Sequence, residues 1–342
     1  YKIIENIQKS VKLKSNDRNE ILATLMRLQN IKNYHVGIIE YEDDDYKKAT
    51  ELFIRFNSTG KKLRRSDLIS SELALQAQSL VASKIRPKSS EYQNFPFTVP
   101  FLIQCLAVIH KGKMKFESTS EIWDGSNEKD IYKSWDRMEK GLGRTIEFLT
   151  GTVKWDSIQW LPSINALIPL IYLLTFKKFS KKDLMIARRW LIFTGVHKYF
   201  SGSVYSELDA IIRKLVRVGD STPQKLWDIT KKDLPKLKAD DFNTNRKTGG
   251  IMSLYVSMLR EFNAKDWLRH TKLDGSVIGH NATLEIHHFF PRALLIKKGY
   301  ETDLINTFAN YVIISKDSNL NILDKEPLAY LKEGKVKKEE LY

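Results

Sequence analysis

The stretch LEIHHFFP, residues 284–291, is the most informative pattern in the C-terminal part of this chain. Its β-like run ends in two adjacent histidines, His287 and His288. Because neighbouring residues of a strand face opposite sides, these two side chains need not share a task. Pro291 has no N–H to donate, so it ends the strand and stiffens the loop that follows. A second β-like run, residues 310–315, leads to Asn319. The pattern predicts a small site built on two strands.

The residue types in this pattern suit the hydrolysis of a phosphodiester. That reaction needs an activated water, a cation on the oxygens and a fixed geometry. A histidine with an unperturbed pKa of about 6.5 can accept a proton from water, and an asparagine oxygen suits a hard divalent ion that keeps several waters. The alternative is a half-buried packing element. The joint occurrence of paired histidines, Pro291 and two well-spaced asparagines favours a reactive site.

These residues resemble the HNH (His-Me finger) nucleases, in particular the branch that ends GmrSD-type, modification-dependent restriction proteins. The resemblance implies that His288 is the general base and that His287 is a metal ligand. It also implies that Asn319 is a second ligand of one Mg²⁺ or Mn²⁺ ion, with Asn321 as the alternative. Asn310, at the start of the second run, would brace the loop that carries the base.

A second motif, FIRFNSTGKKL, occupies residues 53–63. Physical chemistry alone favours a plain helix–turn–helix with a basic surface, and a phosphate cradle is the alternative. The string is similar to the FxRxNxxGxxL element of the ParB-like domain in the same proteins, and residues 189–203 resemble their helical middle. The residues predicted to contact DNA or phosphate are Arg55, Asn57, Lys61, Lys62, Arg64, Arg65 and Arg292.

The chain departs from this family in one respect. Those proteins carry an Asp-Gly-Gln-Gln-Arg motif upstream, associated with nucleotide binding or hydrolysis, and the string is absent from this sequence. The resemblance covers nearly all 342 residues but lacks the front of the ParB-like domain. We therefore expect no NTP cofactor and no NTPase activity for this chain.

The sequence predicts a mainly α protein with a small C-terminal α+β nuclease domain of the ββα-metal type. Residues 1–70 are expected to be the C-terminal part of a ParB-like domain, 71–245 a helical middle domain and 246–342 the nuclease domain, with a linker at 237–250. Periodicity and breaker residues predict helices at 15–31, 46–56, 68–85, 99–110, 130–149, 164–176, 182–197, 205–216 and 251–262, and strands at 35–41, 283–288 and 310–315.

Composition and net charge restrict the possible classes of protein further. Lysine and arginine number 56 against 41 aspartates and glutamates, a net charge of +15. This excess attracts polyanions such as nucleic acid, although lysine that merely solvates the surface gives the same count. The single cysteine, Cys105, excludes an internal disulfide and a multi-cysteine zinc site, and favours a reducing cytoplasm. The most apolar run, residues 164–176, contains Pro169 and is typical of a core helix, so we expect no membrane partner.

The resemblance thus implies a metal-dependent DNA endonuclease or nickase that restricts modified phage DNA. A site with one metal ion usually cuts one strand per event, so a double-strand break would need a homodimer, a partner subunit or repeated nicking. The alternative is a non-catalytic nucleic-acid-binding or regulatory subunit of a defence complex.

Overall fold

The computed structural model describes residues 15–33, 40, 42, 48–49, 52, 65–77, 79–116, 120–202, 204–217, 221–242, 249–274 and 284–336. The chain divides into two compact units, Tyr1–Phe53 and Ile54–Tyr342. In the first unit, helix α1 (Ser15–Asn30) continues into a 3-10 turn, Ile31–Asn33, which confirms the helix predicted at 15–31. The predicted strand at 35–41, apart from Glu40, lies outside the described residues, as does the motif at 53–63.

The second unit is mainly helical, as predicted. Its helical part contains α2 (Arg65–Gln76), α3 (Arg86–Glu91), α4 (Val99–Lys111), α5 (Glu128–Glu147), α6 (Leu167–Phe176), α7 (Lys181–Val196), α8 (Val204–Arg217), α9 (Pro223–Thr230) and α10 (Gly250–Glu261).

One predicted helix, residues 68–85, is wrong as a single element. Helix α2 ends at Gln76, and a π-helical turn, Val81–Ile85, leads directly into α3. Helix α3 carries Pro87 in its first turn. A proline is tolerated there because the N–H that it lacks would have no partner inside the helix. The helical path therefore runs past Pro87 rather than ending before it.

Side-chain caps fix where several helices begin. Thr98 accepts a hydrogen bond from the Phe101 amide at 3.3 Å before α4. Ser180 accepts one from the Asp183 amide at 3.2 Å, and the Asp183 carboxylate accepts one in return from the Ser180 amide at 3.0 Å. Such reciprocal caps satisfy N–H groups that the first turn of α7 leaves open.

The core of this unit lies among the helices. Helix α6 packs along α5, and its residues from Leu167 to Leu174 are all buried. Gly141 of α5 allows the close approach, because a Cβ atom there would lie 2.1 Å from Oγ1 of Thr175. Four tryptophans are fully buried: Trp123, Trp135, Trp155 and Trp190. Within the described part of the chain, no helix is both long and apolar enough to cross a membrane.

The C-terminal part adds a two-stranded antiparallel sheet and four short helices. They follow in the order β1 (Leu284–His288), α11 (Arg292–Lys297), α12 (Thr302–Ile305), β2 (Tyr311–Ser315), α13 (Lys316–Ile322) and α14 (Pro327–Glu333). Both predicted strands are confirmed. Tyr311 and Ile313 of β2 belong to the same buried cluster as the helical core, and Ile314, Ile322 and Tyr330 form a smaller one.

Candidate functional site

Two strands and one helix frame the candidate site. In the antiparallel register His288 lies opposite Tyr311 and His287 opposite Val312, and α13 packs against both strands. A cleft of about 560 Å³ opens between the end of β1, the start of α11 and α13. It is lined by His287, His288, Pro291, Arg292, Ala293, Asn319, Leu320, Leu323 and Asp324. The structure thus brings together both predicted histidines and the predicted asparagine.

His288 is oriented by two neighbours. Its Nε2 lies 3.0 Å from Oδ1 of Asn306, and its ring packs against the Tyr311 ring with centroids 5.2 Å apart. In the tautomer in which Nε2 carries the proton and donates to Asn306, the lone pair lies on Nδ1. This arrangement fixes both the ring plane and the nitrogen able to accept a proton.

Asn319 is oriented by a carboxylate on β1. Its Nδ2 donates to Oε2 of Glu285 at 2.6 Å. Glu285 and His287 are two residues apart on a strand, so they lie on the same face, and His287 is only 9% exposed. Because the amide nitrogen points at Glu285, the carbonyl oxygen Oδ1 of Asn319 is turned away from that carboxylate. The contact therefore leaves Oδ1 as the atom of the amide that could bind a metal ion.

Asn310 holds the loop that follows the two histidines. Its side chain accepts from the Phe290 amide at 2.8 Å and donates to the carbonyls of Phe290 and Ile305 at 3.1 and 3.0 Å. Its backbone carbonyl accepts from the Phe289 amide at 2.8 Å. With the side chain 7% exposed, these bonds are shielded from water, and the bracing contact expected of Asn310 is present.

Asp266 anchors the start of α13. This fully buried carboxylate accepts from the Ser315 amide at 2.8 Å and from the Ser318 hydroxyl at 2.5 Å. Burial alone would raise the pKa of Asp266, but the bonds from Ser318, Ser315 and Arg269 outweigh burial and hold the pKa below its usual range. The helix that presents Asn319 is thereby tied to the loop before β1.

The donor chemistry of the cleft fits one hard divalent ion. His287 offers an imidazole nitrogen and Asn319 an amide oxygen, with the Glu285 carboxylate beside Asn319. Among the described residues, no group of three or more His, Cys, Asp or Glu side chains is arranged to hold a metal. A site with two protein ligands leaves positions for water, which suits Mg²⁺ or Mn²⁺ better than an ion that needs a closed cage.

Of the other predicted residues that the structure describes, Arg292 lies at the cleft and Asn321 does not line it. Arg292 is exposed at the start of α11 and lines the cleft. Asn321 is exposed and donates to the Asp317 carbonyl at 2.8 Å. Arg65 is the first residue of α2, with its side chain outside the described residues. Also outside them are Arg55, Asn57, Lys61, Lys62 and Arg64.

Three residues that shape the site were not predicted from the sequence. Glu285, Asn306 and Asp266 contact Asn319, His288 and the start of α13 respectively. For Glu285 a signal was present, since a carboxylate two positions before His287 must share its face of the strand. For the other two, the chain offers no local pattern.

Known proteins similar to this chain say little about its function. The chain is 22% identical to an uncharacterized protein of Methanocaldococcus jannaschii, over 89% of this chain and 55% of that protein. The chain thus spans about half the length of the curated relative that it matches. No family model and no solved structure matches the chain.

Proposed function

We propose that this chain is a metal-dependent DNA endonuclease or nickase of the HNH type. The observation that carries the proposal is the single cleft lined by His287, His288 and Asn319, on a frame of two antiparallel strands and one helix. The resemblance of the motif to GmrSD-type proteins supports modified DNA as the substrate and restriction of phage as the role.

His288 is the general base of the proposed reaction. With Nε2 bonded to Asn306, Nδ1 takes the proton from the attacking water, and the Tyr311 ring packs against the imidazole. Asn310 has a positioning role, because its hydrogen bonds to Phe290 fix the loop directly after the base. A base that is already held in place lowers the entropy cost of reaching the reactive geometry.

His287 and Asn319 would hold the Mg²⁺ or Mn²⁺ ion, with Glu285 fixing the amide of Asn319. When bound, the ion supplies positive charge to the phosphate oxygens. Since one such site cuts one strand, we further propose that a double-strand break requires a second copy of the chain or a partner subunit.

The proposal is tested by nicking of supercoiled plasmid in Mg²⁺ or Mn²⁺, with unmodified DNA and modified phage DNA side by side. His288→Ala is expected to lower the nicking rate by at least about a hundredfold, because loss of a general base typically costs 10²–10⁴ in rate. The matched control is His270→Ala, which removes an exposed histidine that does not line the cleft.

Metal-dependent nicking that His288→Ala abolishes and His270→Ala leaves unchanged supports the proposal, and faster cutting of modified DNA supports the restriction role. Undiminished nicking by His288→Ala would show that the base is misassigned. DNA binding without cutting on any substrate would instead support a non-catalytic binding or regulatory subunit.

A further inference from the structure

The positive charge of the chain is concentrated away from the cleft. Residues 177–238 contain 15 lysines and arginines against six aspartates and glutamates. Residues 284–336, which form the strands and the cleft, contain seven of each. The cleft region therefore contributes no net attraction for a polyanion, and the excess lies on the part built from α7, α8 and α9.

The acidic residues of that segment are partly withdrawn from the surface. Asp209 is 6% exposed and accepts hydrogen bonds from the Met114 and Lys115 amides, both at 2.7 Å, and from Arg213 at 2.6 Å. Asp183 is engaged in the cap of α7. Asp228 and Asp233 remain exposed, and Asp228 pairs with Lys231 at 2.7 Å, so the basic character of this surface rests on the excess in the residue count.

Contacts join α7 to α9 and to the basic segment that follows α9. The Arg189 guanidinium lies 4.4 Å from the Trp227 ring centre and 5.5 Å from that of Phe193, which restricts an otherwise mobile side chain. His197 Nε2 lies 2.9 Å from the Pro235 carbonyl and so ties the segment after α9 to the end of α7. We name this the α7–α9 surface; its exposed cations are Arg189, Lys198, Lys231, Lys232, Lys236 and Lys238.

Concave spaces lead from this surface toward β1. A cleft of about 640 Å³ runs beside Lys198 and the start of α10, where Gly249 lies. A neighbouring cavity of about 370 Å³ shares Gln159 and Gly249 with it and reaches Leu284–Ile286 of β1. The third residue of this stretch directly precedes His287, so this cavity ends one residue along β1 from the lining of the candidate cleft.

We propose that the α7–α9 surface binds the phosphate backbone of duplex DNA and presents the duplex to the cleft. This inference rests on the proposed endonuclease function. Duplex DNA carries one negative charge per ~1.7 Å of its axis, so a row of exposed lysines can neutralise several phosphates at once. The electrically neutral region around His287 and His288 then needs to carry out only the hydrolysis, because the DNA is bound elsewhere.

The test uses the full chain with Lys231, Lys232, Lys236 and Lys238 all changed to glutamine. The control changes four exposed cations of α5, Lys129, Lys133, Arg137 and Lys140, to glutamine. Both variants lose the same formal charge. Binding of a fluorescent 20-base-pair duplex is measured by anisotropy across a salt series in EDTA, so that cleavage cannot contribute. Thermal melts establish that both variants are folded.

We expect the α7–α9 variant to raise the Kd at least about tenfold near 0.1 M salt and to reduce the salt slope by roughly 2–4, about 0.9 for each phosphate that the variant no longer neutralises. The α5 control should bind within about twofold of the native protein. Equal binding by the two variants would overturn the inference, as would tighter binding of an RNA of the same length than of the duplex.

The outcomes separate this inference from the proposed function. If the native chain nicks plasmid and both variants bind alike, the α7–α9 surface is wrong and the nuclease stands. If the α7–α9 variant alone loses binding while the native chain never cuts DNA, the surface stands and the nuclease is wrong.

Discussion

In the proposed metal site, Glu285 acts through Asn319, from whose amide it accepts a hydrogen bond at 2.6 Å. We expect Glu285→Ala to raise the Mn²⁺ concentration for half-maximal nicking about 10–100-fold, as is typical when a group that orients a metal ligand is removed. Glu285→Gln keeps an oxygen that can accept from Asn319, so it should recover most of the native metal dependence. Titration of Mn²⁺ in the plasmid assay measures both.

The two variants distinguish positioning from direct ligation. If Glu285→Gln is as impaired as Glu285→Ala, the carboxylate charge itself is required and the hydrogen bond to Asn319 does not explain the role of Glu285. A native-like Glu285→Ala would contradict both roles. Glu301→Ala, at an exposed residue that does not line the cleft, controls for the loss of one negative charge.

The residues of the site divide into those that belong to a motif and those that only contact it. The sequence predicts His287, His288, Asn310 and Asn319 because their types and order resemble a known motif. The bond between Glu285 and Asn319 joins positions 34 residues apart, and that between His288 and Asn306 spans 18. Such pairs depend on strand register and loop path, which no spacing rule supplies.

At the scale of elements, the start of α13 depends on Asp266. Asp266→Asn puts an amide donor where the carboxylate accepts from the Ser315 amide and the Ser318 hydroxyl. We expect the free energy of unfolding to fall by about 1.5–3 kcal/mol, the range for hydrogen bonds to a charged group. Urea unfolding followed by tryptophan fluorescence measures the change.

Asp303→Asn on α12 is the matched control, since Asp303 is exposed and its loss should change stability by less than about 0.5 kcal/mol. Equal stabilities for Asp266→Asn and Asp303→Asn would show that Asp266 does not anchor the helix. The nicking rate of Asp266→Asn below its unfolding transition reports in addition whether Asn319 keeps its position.

Long helices could be predicted from the sequence, whereas short helices could not. Helices α5 and α8 have 20 and 14 residues and show a clear apolar period. The helices of the C-terminal part have four to seven residues. Helices this short are not stable alone; they form here because the sheet and its surroundings hold them. Their prediction therefore required the tertiary structure.

At the scale of the whole molecule, glycines allow helices that are distant in sequence to pack closely. A Cβ atom on Gly250 would lie 2.1 Å from the backbone carbon of Gly195, so α7 and α10 meet more closely than any other residue permits. Tyr311 and Ile313 share the buried cluster of the helical part. In the described residues, one core extends across the predicted domain boundary at 245–246. The boundary itself stays a prediction.

The stability of the whole molecule should fall steeply in acid. Burial would raise the pKa of Asp209 and of Asp266, but hydrogen bonds to each outweigh it and hold both pKa values below the usual range. A carboxyl whose pKa is lower in the folded state contributes its full stability above the unfolded value, about 4, and loses it as the pH falls through the folded value. Protonation of other carboxylates adds positive charge to a chain already at +15, which destabilises the folded state in the same direction.

We therefore expect the free energy of unfolding to be nearly constant from pH 7 to about 5 and to decrease below about 4. Asp209→Asn should lower the plateau and reduce the acid slope by up to about 1.4 kcal/mol per pH unit, the share of one proton. Urea unfolding at a series of pH values between 3 and 7 tests this. An acid slope unchanged by Asp209→Asn would mean that the carboxyl titrates alike in both states, and that its bonds to the Met114 and Lys115 amides give no net stability.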